Sequence, residues 1–161
     1  MRCSTLLALS SAAGLATASP LNRRAVATFP AGETWDIVLQ SSGVSVSAMK
    51  AATGKAIDID LFDNTAAIKE IAKTKQVICY FSAGSREDWR SDAGQFKSGD
   101  YGQALDGWPG ENWVNVKSTN VRAIMKKRIE AAAAAGCTAI DPDNVDGYVR
   151  SSRRCVLVMR Y

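Results

Sequence analysis

The stretch that decides the fold runs from residue 138 to residue 148 and reads Thr-Ala-Ile-Asp-Pro-Asp-Asn-Val-Asp-Gly-Tyr. Its small and apolar beginning predicts the end of a buried strand. Pro142 has no backbone N–H to give to a sheet, so we expect the strand to stop there. Three carboxylates, Asp141, Asp143 and Asp146, would then lie just beyond its carboxyl end, the edge where parallel α/β folds bind ligands. A solvated acidic turn is the alternative, because Asp, Asn and Gly favour turns.

The chain upstream of this stretch alternates predicted strands with predicted helices. Strands are expected at 34–39, 56–62 and 76–81, with a short one at 113–116, and helices at 44–52, from 64 to about 75, and at 120–135. In the last helix, Ser118 or Thr119 is expected to cap the start and Gly136 to end it, with Val121, Ile124, Met125 and Ile129 on one apolar face. Polar residues recur where the main strands end: Gln40, Asp60 with Asp63, Tyr80 with Ser82, and Asp141 with Asp143. This pattern predicts an α/β fold, a parallel sheet or barrel, and the recurrent polar strand ends fit the rim of a (β/α) barrel.

One connection is unusually long. Residues 86–111 are polar and punctuated by Gly and Pro, which predicts a loop. Loops of that length in compact domains are usually functional.

Both termini have a composition different from the rest of the chain. Residues 1–18 combine a positive start, an apolar segment and a small-residue cleavage site, which predicts a secretory signal peptide. We expect an N-terminal extension at 19–33, the barrel domain at 34–148 and an aberrant tail at 149–161, where the composition becomes rich in Arg, Ser and Val. No other apolar run is long enough to cross a membrane. The expectation is a secreted, extracellular monomer that has no membrane partner.

Charge, cysteine and histidine usage exclude several function classes. The net charge is +4, but residues 19–149 carry 15 basic and 16 acidic side chains, so a nucleic-acid partner is not expected. Cys79 and Cys137 lie in apolar runs and are expected to be buried thiols. No zinc-ligand spacing is present. The chain has no histidine, which excludes imidazole catalysis.

Three uses of the acidic stretch can be compared. A calcium loop that starts at Asp141 would need Asp or Asn at Val145 and Gly at Asp146, so its spacing is wrong. Asp-x-Asp pairs at 58/60 and 141/143 would suit a metal-dependent glycosyltransferase, although the pattern is short. Glycoside hydrolysis uses paired carboxyl groups around a cationic transition state, and aromatic side chains nearby can stack on sugars. We expect Phe81 and Trp113 in the core, and Trp89 and Trp108 outside it.

Three longer blocks carry a family resemblance. They are Val-Ile-Cys-Tyr-Phe-Ser-Ala-Gly-Ser-Arg-Glu-Asp-Trp-Arg-Ser-Asp-Ala at 77–93, Leu-Asp-Gly-Trp-Pro-Gly-Glu-Asn-Trp at 105–113 and Pro-Asp-Asn-Val-Asp-Gly-Tyr at 142–148. In order and spacing they resemble the signature blocks of glycoside hydrolase family 114, the endo-α-1,4-polygalactosaminidase group, some of whose members are labelled α-galactosidase. The resemblance extends from about Thr34 to Tyr148.

The resemblance implies a parallel (β/α)8 barrel of the TIM type that hydrolyses α-linked galactosamine or galactose polymers with two carboxyl groups and without a metal or other cofactor. A whole barrel takes about 250 residues, so we expect about its first half here. It implies that Asp143 is the catalytic carboxyl. The residues expected to contact the sugar are Asp60, Tyr80, Asp141, Asn144 and Asp146.

Two departures from the family bear on activity. The family's usual Glu-Pro-Asp-Asn begins with the shorter Asp141 here, and the second catalytic carboxylate, a Glu in a later strand, has no counterpart. We therefore expect this chain to be inactive by itself. A non-catalytic carbohydrate-binding remnant and a metal-dependent glycosyltransferase-like protein stay as alternatives.

Overall fold

The structure is a computed structural model that describes residues 28–39 and 43–147. Its strands and helices alternate along most of the chain. In order they are β1 Trp35–Val38, α1 Val46–Ala51, β2 Ala56–Asp60, α2 Thr65–Ile71, β3 Gln76–Ser82, β4 Ser85–Glu87, a 3-10 turn Ala93–Gln95, β5 Tyr101–Ala104, β6 Glu111–Val114, α3 Thr119–Ala135 and β7 Ala139–Asp143. The predicted signal peptide, Gln40, Tyr148 and the C-terminal tail lie outside the described residues.

Four strands form a parallel sheet in the order β1-β2-β3-β7. Apolar side chains on one face of this sheet pack against the helices and form the main core, which includes Ile57, Ile59, Val77 and Phe81. The pleat places alternate residues on the opposite face, which is the interior of the predicted barrel. Polar side chains lie on that face, so the two faces of the sheet differ sharply in chemistry.

The last strand does not stop where the sequence predicted. β7 continues through Pro142 to Asp143, with Pro142 paired in register with Phe81. The prediction was wrong because β7 is an edge strand in the described residues, and an edge strand has one side on which a missing N–H removes no ladder bond. Asp141 and Asp143 are therefore held in the strand and not in a turn after it.

The predicted loop at 86–111 contains ordered strands. We call residues 83–118, between β3 and α3, the insertion. Its strands form an antiparallel sheet in the order β4-β6-β5. A small second core joins this sheet to α3 through Phe96, Val114, Val121 and Ile124. The insertion is thus a folded layer at the carboxyl end of β3.

Helix α3 begins and ends at the expected signals. Ser118 accepts hydrogen bonds from the N–H groups of Asn120 and Val121, and Gly136 closes the helix at a φ of +105°. The buried face differs from the prediction in one position: Ile129 is exposed, whereas Arg128 is buried. Arg128 takes this position because its guanidinium bonds the insertion, as described below.

The two central cysteines form a disulfide and are not free thiols. Cys79 of β3 is bonded to Cys137, which precedes β7, and their Cα atoms lie 5.9 Å apart. The prediction missed the bond because 58 residues separate the two cysteines in sequence. Parallel pairing of β3 with β7 brings them together.

The parallel sheet has an open edge at each end within the described residues. Trp35 and Ile37 of β1 are 58% and 53% exposed on its interior face. A cavity of about 400 Å³ on that face is lined by Trp35, Asp58, Ile78 and Asp141, among others. This is the architecture of about half a (β/α)8 barrel whose interior is uncovered. Among the described residues, no helix has the length and apolarity needed to cross a bilayer.

Candidate active site

Strand register brings the predicted rim residues together. Asp60, Tyr80 and Asp141 are direct neighbours across β2, β3 and β7, so their side chains share one layer on the interior face. Ser82 and Asp143 pair one layer closer to the carboxyl edge. Chain segments separated by more than 60 residues thereby place carboxylates and a phenol side by side.

Asp143 is exposed at this edge, and two donors hold its carboxylate. The Tyr80 hydroxyl donates to Oδ2 at 2.7 Å, and the Asn144 N–H donates to Oδ1 at 2.7 Å. Burial of Tyr80, with the hydrogen bond to Asp143, raises the pKa of the phenol, so it stays a proton donor at neutral pH. One oxygen of Asp143 therefore accepts a hydrogen bond from β3, and the other accepts one from the residue that follows Asp143 in the chain.

The backbone around Asp143 approaches the end of β3 very closely. The N–H groups of Ala83 and Gly84 both donate to the Asp143 carbonyl, at 2.9 and 3.1 Å. A Cβ on Gly84 would lie 1.7 Å from the Asn144 carbonyl oxygen. Gly84 is needed because no side chain fits there. Asn144 itself has a φ of +59°, a left-handed conformation that Asn tolerates better than most residues.

A chain of side-chain hydrogen bonds runs from the insertion to Asn144. Ser85 donates from Oγ to Glu111 Oε1 at 3.1 Å, and the hydroxyls of Ser82 and Ser85 are in short contact. Asn144 donates from Nδ2 to Ser82 Oγ at 3.0 Å. We call Glu111, Ser85, Ser82 and Asn144 the relay. All its members except Asn144 are buried.

Glu111 is an uncommon end point for such a chain. Its side chain is buried, with the residue 4% exposed. The pKa of its carboxyl is raised, first by burial and then by the charges of Glu87 and Asp143, although the hydrogen bond from Ser85 and the charge of Arg90 lower it.

An acidic pair joins Asp141 to the next layer down, where Asp58 lies. Asp58 is 4% exposed and faces Asp141. Burial, followed by the charge and hydrogen bond of Asp141, raises the pKa of Asp58 to about 7. Its Oδ1 has no hydrogen-bond partner among the described residues. A carboxyl with this pKa keeps its proton in mildly acidic solution and can donate it to Asp141 in a hydrogen bond.

Asp60 is engaged in a buried ion pair. Arg90, from the insertion, donates to Asp60 Oδ1 at 3.0 Å and to Oδ2 at 2.6 Å. The same guanidinium donates to both oxygens of Glu87, at 2.9 and 3.0 Å, and reaches Asp63 at 3.4 Å. We call Arg90, Asp60 and Glu87 the clamp. The predicted sugar contact of Asp60 stays a prediction, and its described contacts are those of a residue that fastens the insertion to β2.

Arg128 fastens the insertion from the helix side. It donates to both oxygens of Asp92, at 2.8 and 2.9 Å, and to the Ser82 carbonyl at 2.5 Å. Because Ser82 ends β3, this arginine joins α3, the insertion and the rim.

The remaining predicted positions differ in burial. Asp141, Asn144 and Asp146 are half-buried. Phe81 is in the core, as predicted, whereas Trp113 is half-buried and its ring would lie 2.9 Å from a Cβ on Gly147. Trp89 and Trp108 are 52% and 63% exposed on the insertion, as expected for residues outside the core. Two exposed indole rings are thus present on the insertion.

Among the described residues, no group of three or more His, Cys, Asp or Glu side chains has the arrangement of a metal site.

Sequence reasoning missed both the relay and the clamp. The sequence could have placed Asp58 at the site, because it lies two residues from Asp60 and both therefore lie on one face of β2. Arg90, Glu87 and Glu111 stood in the quoted blocks, but their partners lie on other elements. Only the three-dimensional pairing shows those contacts.

Comparisons with known proteins agree with this geometry. The sequence profile described as Glycoside-hydrolase family GH114 matches residues 16–157. The crystal structure of Aspergillus fumigatus Ega3 in complex with galactosamine is 43% identical, with a TM-score of 0.70 over 81% of this chain and 51% of that one. The comparison with curated proteins finds no match.

A more distant structure supports the fold alone. The glycoside hydrolase domain of PelA from Pseudomonas aeruginosa is 11% identical, with a TM-score of 0.56 over 72% of this chain and 45% of that one. The chain spans about half the length of each of these structures. The predicted fold, a partial barrel of the TIM type, is confirmed. So is the resemblance stated from the sequence blocks: the chain belongs to Glycoside-hydrolase family GH114.

Proposed function

We propose that this chain carries the first half of a secreted glycoside hydrolase barrel that cleaves α-linked galactosamine or galactose polymers, with Asp143 as a catalytic carboxyl. The observation that carries the proposal is the placement of Asp143. It is exposed at the carboxyl edge of β7 and is held by donors from Tyr80 and Asn144. Family membership supports the reaction class, and the galactosamine bound to the Aspergillus fumigatus relative supports the sugar.

The geometry suits a carboxylate that acts on a developing positive charge. Glycoside hydrolysis passes through an oxocarbenium-like transition state, which a nearby carboxylate stabilises or attacks. Two hydrogen-bond donors fix both Asp143 oxygens, so the carboxylate is oriented before a sugar arrives. Asp141, Asn144 and Asp146 are proposed to contact the sugar beside it, and the exposed Trp89 and Trp108 to offer stacking surface.

The second catalytic carboxyl is proposed to come from the part of the barrel that the described residues do not contain. Retaining and inverting glycosidases both need two carboxyl groups across the scissile bond, about 5 to 10 Å apart. Asp60 is held by Arg90, and Asp58 is buried against Asp141. Neither is presented as the partner of Asp143, so this chain alone is proposed to be inactive.

The same contacts weigh against the metal-dependent transferase. A transferase that binds its metal through Asp58 and Asp60 needs carboxylate oxygens without other partners, but both Asp60 oxygens accept hydrogen bonds from Arg90. A carbohydrate-binding remnant shares the rim with the enzyme and differs from it only in turnover. Turnover is therefore the property to measure.

The test compares the 161-residue chain with a completed barrel, made by fusing residues 28–147 to the second half of the Aspergillus fumigatus relative. Reducing ends released from an α-1,4-galactosamine polymer report hydrolysis. We expect none from the chain alone and hydrolysis from the fusion. A folded fusion that binds the polymer without hydrolysing it would favour the binding remnant. Turnover by the 161-residue chain alone would show that Asp143 finds its partner within it.

A further inference from the structure

The direction of the protons in the relay follows from its last member. A carboxylate offers lone pairs and no proton, so the single hydroxyl proton of Ser85 goes to Glu111. Ser82 must then donate its own proton to Ser85 in their short contact. This leaves lone pairs of Ser82 facing Asn144, which fits the donation from Asn144 Nδ2 at 3.0 Å. The orientation of the Asn144 amide is thereby set.

Without the acceptor at Glu111, this order is not imposed. Ser85 could donate to Ser82, and the Ser82 proton would then point at the Asn144 amide nitrogen. Two donors would face each other, so Asn144 Nδ2 would lose its 3.0 Å bond to Ser82 and keep only the longer one to Ser85 Oγ, at 3.4 Å. Asn144 holds a left-handed φ of +59° and gives its backbone N–H to Asp143 Oδ1. Loss of the side-chain anchor would therefore loosen the donor that orients Asp143.

A carboxylate is a costly choice for this position. Glu111 is 4% exposed and lies near the like charges of Glu87 and Asp143, and the opposite charge of Arg90 offsets burial and repulsion only in part, since the pKa of Glu111 is raised. A neutral side chain of similar volume would avoid both the desolvation and the repulsion. A buried charge that works against stability is expected where it serves a site, since natural proteins accept such conflicts at functional positions.

We propose that Glu111 is a positioning residue for Asp143, acting through Ser85, Ser82 and Asn144. It touches neither the sugar nor the reacting atoms. Its carboxylate fixes the proton order of the relay, and the relay holds the Asn144 N–H on Asp143. The importance of this for catalysis rests on the proposed function, which makes Asp143 the catalytic carboxyl, but the positioning itself does not depend on turnover.

The test uses the ¹⁵N-labelled 161-residue chain and reads hydrogen exchange at the Asn144 backbone N–H. Two variants break the relay, Glu111→Met and Ser85→Ala. Glu111→Gln keeps an acceptor oxygen and is the rescue. Asp100→Asn is the control, because Asp100 is a buried carboxylate that bonds Ser118 and Asn120 on the other side of the insertion. Urea unfolding of each variant measures global stability.

We expect exchange at Asn144 to become about tenfold faster in Glu111→Met and Ser85→Ala, the scale of one lost charge-assisted hydrogen bond. Glu111→Gln should recover most of the protection, and Asp100→Asn should leave it unchanged. Glu111→Met should be no less stable than the parent, because it removes a buried charge.

Two results would overturn the proposal. One is unchanged protection at Asn144 in both relay variants. The other is protection that falls only in step with global stability, and equally in Asp100→Asn, which would make Glu111 an ordinary structural residue. If positioning is seen but Asp143→Asn does not reduce turnover in the completed barrel, the proposed function fails and this inference stands.

Discussion

Replacing Arg90 by Met should release the insertion from the barrel edge. Arg90 makes five hydrogen bonds to three carboxylates, and its side chain is 6% exposed. Two of those carboxylates, Asp60 and Glu87, have side chains that are only 3% and 4% exposed. The variant would leave both charges buried without a cation. Breaking a buried ion pair from one side costs about 3–5 kcal/mol, a large part of the stability of a typical domain.

Urea unfolding, monitored by tryptophan fluorescence, measures this loss of unfolding free energy in the insertion itself. Three of the four tryptophans, Trp89, Trp108 and Trp113, lie in the insertion. With slopes of about 1–3 kcal/mol per M, a loss of that size moves the midpoint by more than about 1 M or unfolds the insertion outright. The control Lys126→Met removes an exposed pair with Glu130 and should change the unfolding free energy by at most about 0.5 kcal/mol.

The reasoning also predicts a rescue. Arg90→Met combined with Asp60→Asn and Glu87→Gln should recover most of the loss, because the buried charges disappear together with their cation. If Arg90→Met alone unfolds at the parent's urea concentration, the clamp does not hold the insertion, and the account of that layer is wrong.

Three further predictions follow from single contacts. Gly84→Ala should lower the unfolding free energy by about 1–3 kcal/mol, since its Cβ would lie 1.7 Å from a backbone oxygen, whereas Gly102→Ala meets nothing within 4 Å; equal midpoints in urea would contradict this. Reducing the Cys79–Cys137 disulfide, which spans 58 residues, should lower the melting temperature, with a loss of about 2–4 kcal/mol; an unchanged melting temperature would mean that the bond constrains nothing. The raised pKa of Asp58, about 7, means that its protonated form stabilises the fold below the ordinary value near 3.8 and that this contribution is lost as pH rises through 7. Asp58→Asn should therefore gain stability relative to the parent between pH 4 and pH 7, by up to about 4 kcal/mol, and parallel pH profiles would refute the assignment.

The main sheet could be predicted because each of its strands has a signal in the local sequence. The alternation of apolar and acidic residues in β2, the apolar run in β3 and the caps at Ser118 and Gly136 are properties of short windows of sequence, and the structure confirms these elements. Pro142 misled the prediction of where β7 ends, because its effect depends on whether the strand has a neighbour on its N–H side. Which strand lies beside β7 is decided by the tertiary structure and cannot be read from the local sequence.

The site was predictable in its residue types and less so in its contacts. The blocks pointed to Asp143 and Tyr80, and the structure brings these two within hydrogen-bond distance. Asp60 was predicted as a sugar contact at the end of a strand, but its partner Arg90 lies 30 residues further along. The disulfide and the relay share this property, since their members meet only after the parallel strands pair. The insertion was taken for a loop because its strands are three or four residues long, too short for a period to show.

The most direct measurement of the central claim is the turnover of the completed barrel with Asp143→Asn, set against Asp106→Asn, an exposed carboxylate on the insertion. Both variants remove one negative charge and keep the side-chain shape. The account predicts that Asp143→Asn lowers kcat on the α-1,4-galactosamine polymer by about a hundredfold or more, with an unchanged circular dichroism spectrum, and that Asp106→Asn stays near the parent rate. A near-parental kcat for Asp143→Asn would contradict the account and would move the catalytic role to Asp141 or Asp60.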